Sequence, residues 1–210
     1  MIRLFAILAA LVCTVSLATG VQAQTSKLRE LDSELDAMAW QAVGRLDVAG
    51  SGFCSATLIE DDLIVTAAHC VYDMATGKPH APERMTFRAG LRDGKAAAHV
   101  RVSKVAAHPG FDPTSGSSQA NVSHDAALLR LERPVQVYQL NPFALHKDRV
   151  VEGPVSIVSY GRGRAEAQSR QRECQMTERQ GAMLVFDCDV TFGSSGSPVF
   201  SHMNGRAKVM

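Results

Sequence analysis

Beyond residue 38 the chain consists of short runs of valine, isoleucine, leucine and threonine, each soon cut by glycine, proline or aspartate. That punctuation predicts strands, at 42–46, 52–59, 63–67, 84–89, 98–106, 126–131, 155–160, 175–180, 182–188 and 198–201. The long 3.6-residue periods of helices that cross between parallel strands are missing, which points to an all-β barrel or sandwich rather than a doubly wound sheet. Residues 24–38 differ: they are polar, with Leu28, Leu31 and Leu35 at helix-like spacing, and read as a short helix or leader. The stretch 112–123 is almost wholly small and polar and reads as a loop. No internal repeat is evident, and Arg133-Pro134 and Asn141-Pro142 bracket a polar crossover between two halves.

The first 23 residues carry a different pattern. A short basic start, Met1-Ile2-Arg3, precedes the nearly continuous apolar run 4–18, and Val21-Gln22-Ala23 supplies small residues for cleavage. This is the layout of an export signal. The apolar run is shorter than the roughly 20 residues that span a bilayer, and Val12 is too large to precede a lipid-modified Cys13. The mature protein is therefore expected to be secreted or periplasmic, without a stable membrane anchor.

Lysine and arginine number 22 against 21 acidic residues, and cleavage removes Arg3. A neutral chain has no positive excess to meet a phosphate backbone, so nucleic acid is not an expected partner. Four cysteines remain, Cys54, Cys70, Cys174 and Cys188. An even number in an oxidising compartment suggests two disulfides. Three pairings are possible; the local one closes two loops of similar, modest length. With no CxxC pair and no HExxH helix, a zinc site ranks below disulfides, and no metal is expected.

Three separated segments carry chemistry: Thr66-Ala67-Ala68-His69-Cys70, the run from His124-Asp125 to Leu131, and Gly193-Ser194-Ser195-Gly196-Ser197-Pro198. A serine hydroxyl is a poor nucleophile at neutral pH and needs a base that titrates near 7, a role that suits His69. The imidazole must be held in one tautomer, which a carboxylate at Asp125 would do while stabilising the imidazolium. Ser195 is the candidate nucleophile, and the backbone N–H groups of Gly193 and Ser195 are candidate donors to an oxyanion.

The order His, Asp, Ser in these motifs resembles the trypsin and chymotrypsin family of serine proteases. In motif style it is nearest to bacterial, secreted members such as glutamyl endopeptidase, over roughly residues 39–210. The resemblance implies two antiparallel six-stranded β-barrels of the chymotrypsin type with the site in the cleft between them. The first, 39–133, would carry His69 and Asp125, and the second, 134–210, would carry Ser195. It also implies peptide-bond hydrolysis through an acyl-enzyme, protein or peptide substrates, no cofactor, and a Cys54–Cys70 disulfide fixing the histidine loop. Animal members carry an aspartate before the nucleophile that pairs with a newly released amino terminus; here that residue is Ser194, so the switch does not operate in its usual form. Family members that cut after arginine or lysine carry an aspartate six positions before the nucleophile, here Asp189, which would pair with a basic side chain.

His80, His99, His108, His146 and His202, like His124, have no partner motif and read as surface residues, and the arginines at 162, 164, 170 and 172 read as a solvated loop. Tyr160-Gly161-Arg162-Gly163 lacks the third glycine of a nucleotide loop and reads as a turn. An α/β-hydrolase would need GxSxG and an acid after the serine. Only 15 residues follow Ser195, whereas the family pattern continues for several tens more. The second barrel is thus expected to be incomplete, as a fragment of a longer gene or as an impaired, protease-like scaffold that acts by binding.

Overall fold

A computed structural model describes residues 26–136, 138–148, 153–202 and 205–210. The proposed export signal, 1–23, lies outside the described residues. In chain order the elements of the first half are β1 (Arg29–Glu30), α1 (Glu34–Met38), β2 (Val43–Val48), β3 (Gly52–Glu60), β4 (Leu63–Thr66), β5 (Tyr72–Asp73), β6 (Lys78–Pro79), β7 (Met85–Ala89), β8 (Ala98–Ala107), α2 (Gln119–Val122) and β9 (Ala127–Leu131). Six of these strands close a barrel in the order β2-β3-β4-β9-β8-β7, with β7 pairing back onto β2.

Period-two patterning builds this barrel. In β7, Met85, Phe87 and Ala89 turn inward while Thr86 and Arg88 turn outward; in β9, Ala127, Leu129 and Leu131 face the core. Leu46, Leu58, Ile64, Met85, Phe87, Val102 and Leu129 are fully buried together. Each such side chain contributes about 1.5–3 kcal/mol by leaving water.

The second half contains β10 (Val155–Gly161), β11 (Arg164–Cys174), β12 (Met176–Gln180), β13 (Met183–Phe186), β14 (Val199–Ser201) and β15 (Lys208–Val209). Among the described residues these form an open antiparallel sheet, β1-β11-β10-β14-β15, and a β12-β13 hairpin. The first half is thus a closed barrel and the described strands of the second form an open sheet. The described part of the segment 24–38, residues 26–38, joins this sheet: β1 pairs with β11, Leu31 is buried, and Ser33 caps α1 by accepting from the Asp36 N–H at 3.0 Å. Trp40, Phe143 and Phe200 pack together at centroid distances of 4.6–5.9 Å, Trp40 stacked on Phe143 and edge-on to Phe200, and join the sheet to the crossover.

Two readings of polar residues need correction. Arg164, Arg170 and Arg172 lie in an eleven-residue strand, β11, rather than in a solvated loop. Its buried positions are Ala167, Gln168, Ser169, Gln171 and the disulfide-bonded Cys174; the first four lack the apolar signature of a strand but are hydrogen-bonded or small. Gln168 Nε2, for example, donates to the carbonyls of Trp40 and Val43 at 2.7 and 2.8 Å. His80 is buried, and His202 is half-buried with Nε2 2.8 Å from Ser156 Oγ, so neither is a free surface residue. Burial, with the Arg170 charge, holds the His202 pKa below the ordinary histidine value.

The two halves are joined at β2. Arg45 Nη1 donates to Ala165 O and Glu166 Oε1 at 2.9 and 2.7 Å, and its Nε pairs with Asp47 at 2.7 Å. No helix among the described residues is long and apolar enough to cross a membrane.

Candidate active site

β4 and β9 are antiparallel neighbours with Thr66 opposite Ala127. The chain leaving β4 and the chain entering β9 therefore emerge at the same end of the barrel, and they bring His69 and Asp125 together. His69 lies in a short 3-10 turn, Ala68–Val71, and the Cys54–Cys70 disulfide ties that turn to β3. Asp125 follows α2.

The Asp125 carboxylate grips His69 twice. Oδ1 accepts the His69 backbone N–H at 2.8 Å and Oδ2 lies 2.6 Å from Nδ1. The Nδ1 proton is thereby assigned, and Nε2 is left as the ring's acceptor. Burial would raise the Asp125 pKa, but hydrogen bonds from His69 and the His69 charge outweigh it and hold the carboxyl below the ordinary aspartate value. His124 takes no part: it stacks on His108 with centroids 4.5 Å apart.

Ser195 lies in a tight loop made by the Ser194 N–H donating to Thr191 O at 2.9 Å and the Ser197 N–H donating to Ser194 O at 3.0 Å. Gly193 and Gly196 have φ of +92° and +76°, left-handed values that favour glycine. Both also touch the first barrel closely. A Cβ at 193 would lie 2.3 Å from the Phe53 ring, and one at 196 would lie 2.1 Å from Thr66 Oγ1 and 2.4 Å from Ser55 O.

Ser55 locks this loop in place. Its N–H donates to Ser195 O at 2.8 Å, its Oγ donates to Gly193 O at 3.0 Å, and its Oγ in turn accepts from the Tyr160 N–H at 3.0 Å. Ser55 adjoins Cys54, whose disulfide partner adjoins His69, so the serine loop is seated on the strands that carry the histidine. Among the described residues the N–H groups of Gly193 and Ser195 have no hydrogen-bond acceptor, and the Ser195 hydroxyl makes no hydrogen bond to the imidazole. Such contacts commonly tighten only when a substrate binds.

Ser55, Thr66 and Phe53 were not legible in the sequence as supports for the loop. The one available signal was the adjacency of Ser55 to Cys54. Asp189 is exposed, and its N–H donates to Gln171 Oε1 at 2.7 Å. A cavity of about 430 Å³ adjoins His69, lined in part by Phe53, Tyr72, Asp73 and Met74. Cys54, His69 and Cys70 lie within 4.8 Å of one another, but both sulfurs are spent in a disulfide and offer no thiolate to a metal. The second disulfide joins Cys174 to Cys188 at the base of the β12-β13 hairpin.

A family model described as a trypsin-like peptidase domain matches residues 50–207. The chain belongs to the trypsin-like peptidase family. A solved Glu endopeptidase, in complex with MPD, superposes with a TM-score of 0.71 over 88% of this chain and 83% of that one, at 18% identity. At that identity the likeness is one of fold. Human serine protease 56 is 30% identical over 100 residues, 46% of this chain, and the chain spans 14% of that relative's length. The trypsin-like peptidase match takes in His69, Asp125 and Ser195 and begins after β1 and α1.

Proposed function

We propose that the protein is a secreted or periplasmic serine endopeptidase that hydrolyses peptide bonds through an acyl-enzyme. Ser195 attacks the scissile carbonyl, His69 Nε2 takes the hydroxyl proton and returns it to the leaving amine, and Asp125 orients the ring and stabilises its charged form. The N–H groups of Gly193 and Ser195 receive the oxyanion. The bond pattern that carries this reading is the two-point grip of Asp125 on His69, at 2.8 and 2.6 Å. A carboxylate that merely terminated a strand would have no reason to fix one imidazole tautomer. The two unpaired N–H groups beside Ser195 support it.

Asp189 would favour a basic side chain before the cleaved bond. No metal or organic cofactor enters the scheme, because His69 supplies the base and the backbone supplies the electrophile.

The test is covalent labelling with a fluorophosphonate probe alongside peptide hydrolysis. The expected result is labelling of the wild-type chain and none of Ser195→Ala. Undiminished labelling of the variant would reject the nucleophile assignment, and an inert wild type would favour a binding scaffold.

A further inference from the structure

Arg164 opens β11, directly after the turn that follows β10. Its side chain folds inward instead of running to solvent. Nη1 donates to Ser159 O at 2.8 Å, and Nη2 donates to Ser159 Oγ and to Ser194 Oγ, both at 2.9 Å. All three acceptors are neutral, and no ion pair among the described residues involves Arg164. Burial disfavours its charge, yet a guanidinium keeps its proton inside proteins. A half-buried cation without an anion is costly and calls for an account.

Ser194 suggests one. Its side chain is buried, and its Oγ accepts from Arg164, lies 3.3 Å from the Thr191 N–H and donates to Tyr160 O at 3.1 Å. The hydroxyl thus has its single proton committed and both acceptor sites occupied, so it cannot rotate without losing a partner. Ser194 lies between the two residues whose N–H groups are unpaired. Gly161 leaves room for the arrangement: a Cβ there would lie 2.8 Å from Arg164 Nη2 and 2.7 Å from Thr191 Cγ2, so a larger residue would displace the guanidinium from this position.

We infer that Arg164 is a positioning residue: it locks Ser194 so that the N–H groups of Gly193 and Ser195 point to one place, and it sets an uncompensated positive charge behind the oxyanion that forms there. The second half of this inference rests on the proposed function; the first does not. A charge left without a carboxylate partner keeps its field for the negative charge that develops in the transition state.

Two readouts on Arg164→Met, Arg164→Lys and Ser194→Ala test it. The first is hydrogen exchange of the segment 189–198, which needs no activity. Arg164→Met should exchange there about tenfold faster or more, while β2, β3 and β4 remain at wild-type rates. The second is kinetics: Arg164→Met should lose about 10- to 100-fold in kcat with KM within about twofold, and should lose affinity for a peptidyl boronate in proportion. Arg164→Lys, which restores the charge but not the fork, should recover part of the loss.

Ser194→Ala leaves the charge and its Ser159 contacts in place; it should give the same faster exchange with a smaller loss in kcat than Arg164→Met, which keeps the locking role testable if Arg164→Met is too unstable to assay. Wild-type exchange in both Arg164→Met and Ser194→Ala overturns the locking role. Faster exchange with unchanged kcat, or a rise in KM alone, overturns the electrostatic role. A wild-type chain that cleaves nothing counts against the proposed function, and the exchange measurement still decides the lock.

Discussion

Gly196→Ala isolates the seating of the serine loop on the first barrel. The new Cβ would lie 2.1 Å from Thr66 Oγ1, 2.4 Å from Ser55 O and 2.8 Å from Ala67 N. Two of these are backbone atoms, and the third is a hydroxyl held by its 2.7 Å hydrogen bond to Ser55 O. None is the free end of a flexible side chain. The φ of +76° costs an alanine about 1–2 kcal/mol, and forcing a methyl into a packed site costs about 1–3 kcal/mol more. The loss should therefore be about 2–5 kcal/mol, or roughly 5–15 °C in Tm for a chain of this size.

Gly181→Ala separates the two contributions. Gly181 has a φ of +63° in the β12-β13 turn with nothing within 4 Å of its would-be Cβ, so it carries only the conformational cost. Urea denaturation of both variants should place Gly196→Ala about 1–3 kcal/mol below Gly181→Ala. If the loop instead retreats by about 1 Å to relieve the clash, kcat/KM should fall about a hundredfold. A Gly196→Ala variant as stable as Gly181→Ala and as active as wild type would refute the claim that close contact with Ser55 and Thr66 sets the loop.

Asp125→Asn should lower kcat by about 10³- to 10⁴-fold, read with a chromogenic peptide. Because the native Asp125 pKa lies below its unfolded value, the carboxylate adds stability above the ordinary aspartate range, near pH ~4, and that stability is lost as the pH falls through the native pKa. The stability gap between wild type and Asp125→Asn should thus begin to shrink below about pH 5 and go on shrinking as the pH falls through the native pKa, and a gap that does not change with pH would contradict it. Replacing Cys54 and Cys70 by serine opens a loop of sequence separation 16; it should cost about 3 kcal/mol in denaturation and reduce activity more than the same change at Cys174 and Cys188. Asp189→Ser should cut cleavage after arginine relative to leucine by about tenfold or more, and an unchanged ratio in a peptide panel would remove Asp189 from the specificity account.

The valine- and isoleucine-rich strands were legible because period-two burial leaves a mark on composition. All ten strands read from the sequence occur within two residues of their expected ends. β11 was not legible: its inward face is alanine, serine and glutamine, and its stability comes from pairing on both edges and from side chains such as Gln168 that satisfy distant carbonyls. The His69–Asp125 encounter could be expected from motif order, and strand register explains it. The Ser55 and Arg164 contacts are a different case. Apart from the Arg164 contacts to nearby Ser159, they join residues far apart in the chain, and a lone serine or arginine carries no periodic signature of such a bond. Arg164 in particular reads as surface charge until the strand that buries it is known.

The most direct test of the account is a crystal structure of the chain after reaction with a fluorophosphonate. The account predicts phosphorus bonded to Ser195 Oγ, the phosphoryl oxygen within about 2.7–3.1 Å of the N–H groups of Gly193 and Ser195, and His69 Nε2 within hydrogen-bond reach of the adduct. An adduct on another residue, or one on Ser195 with its oxygen turned away from both N–H groups, would contradict it.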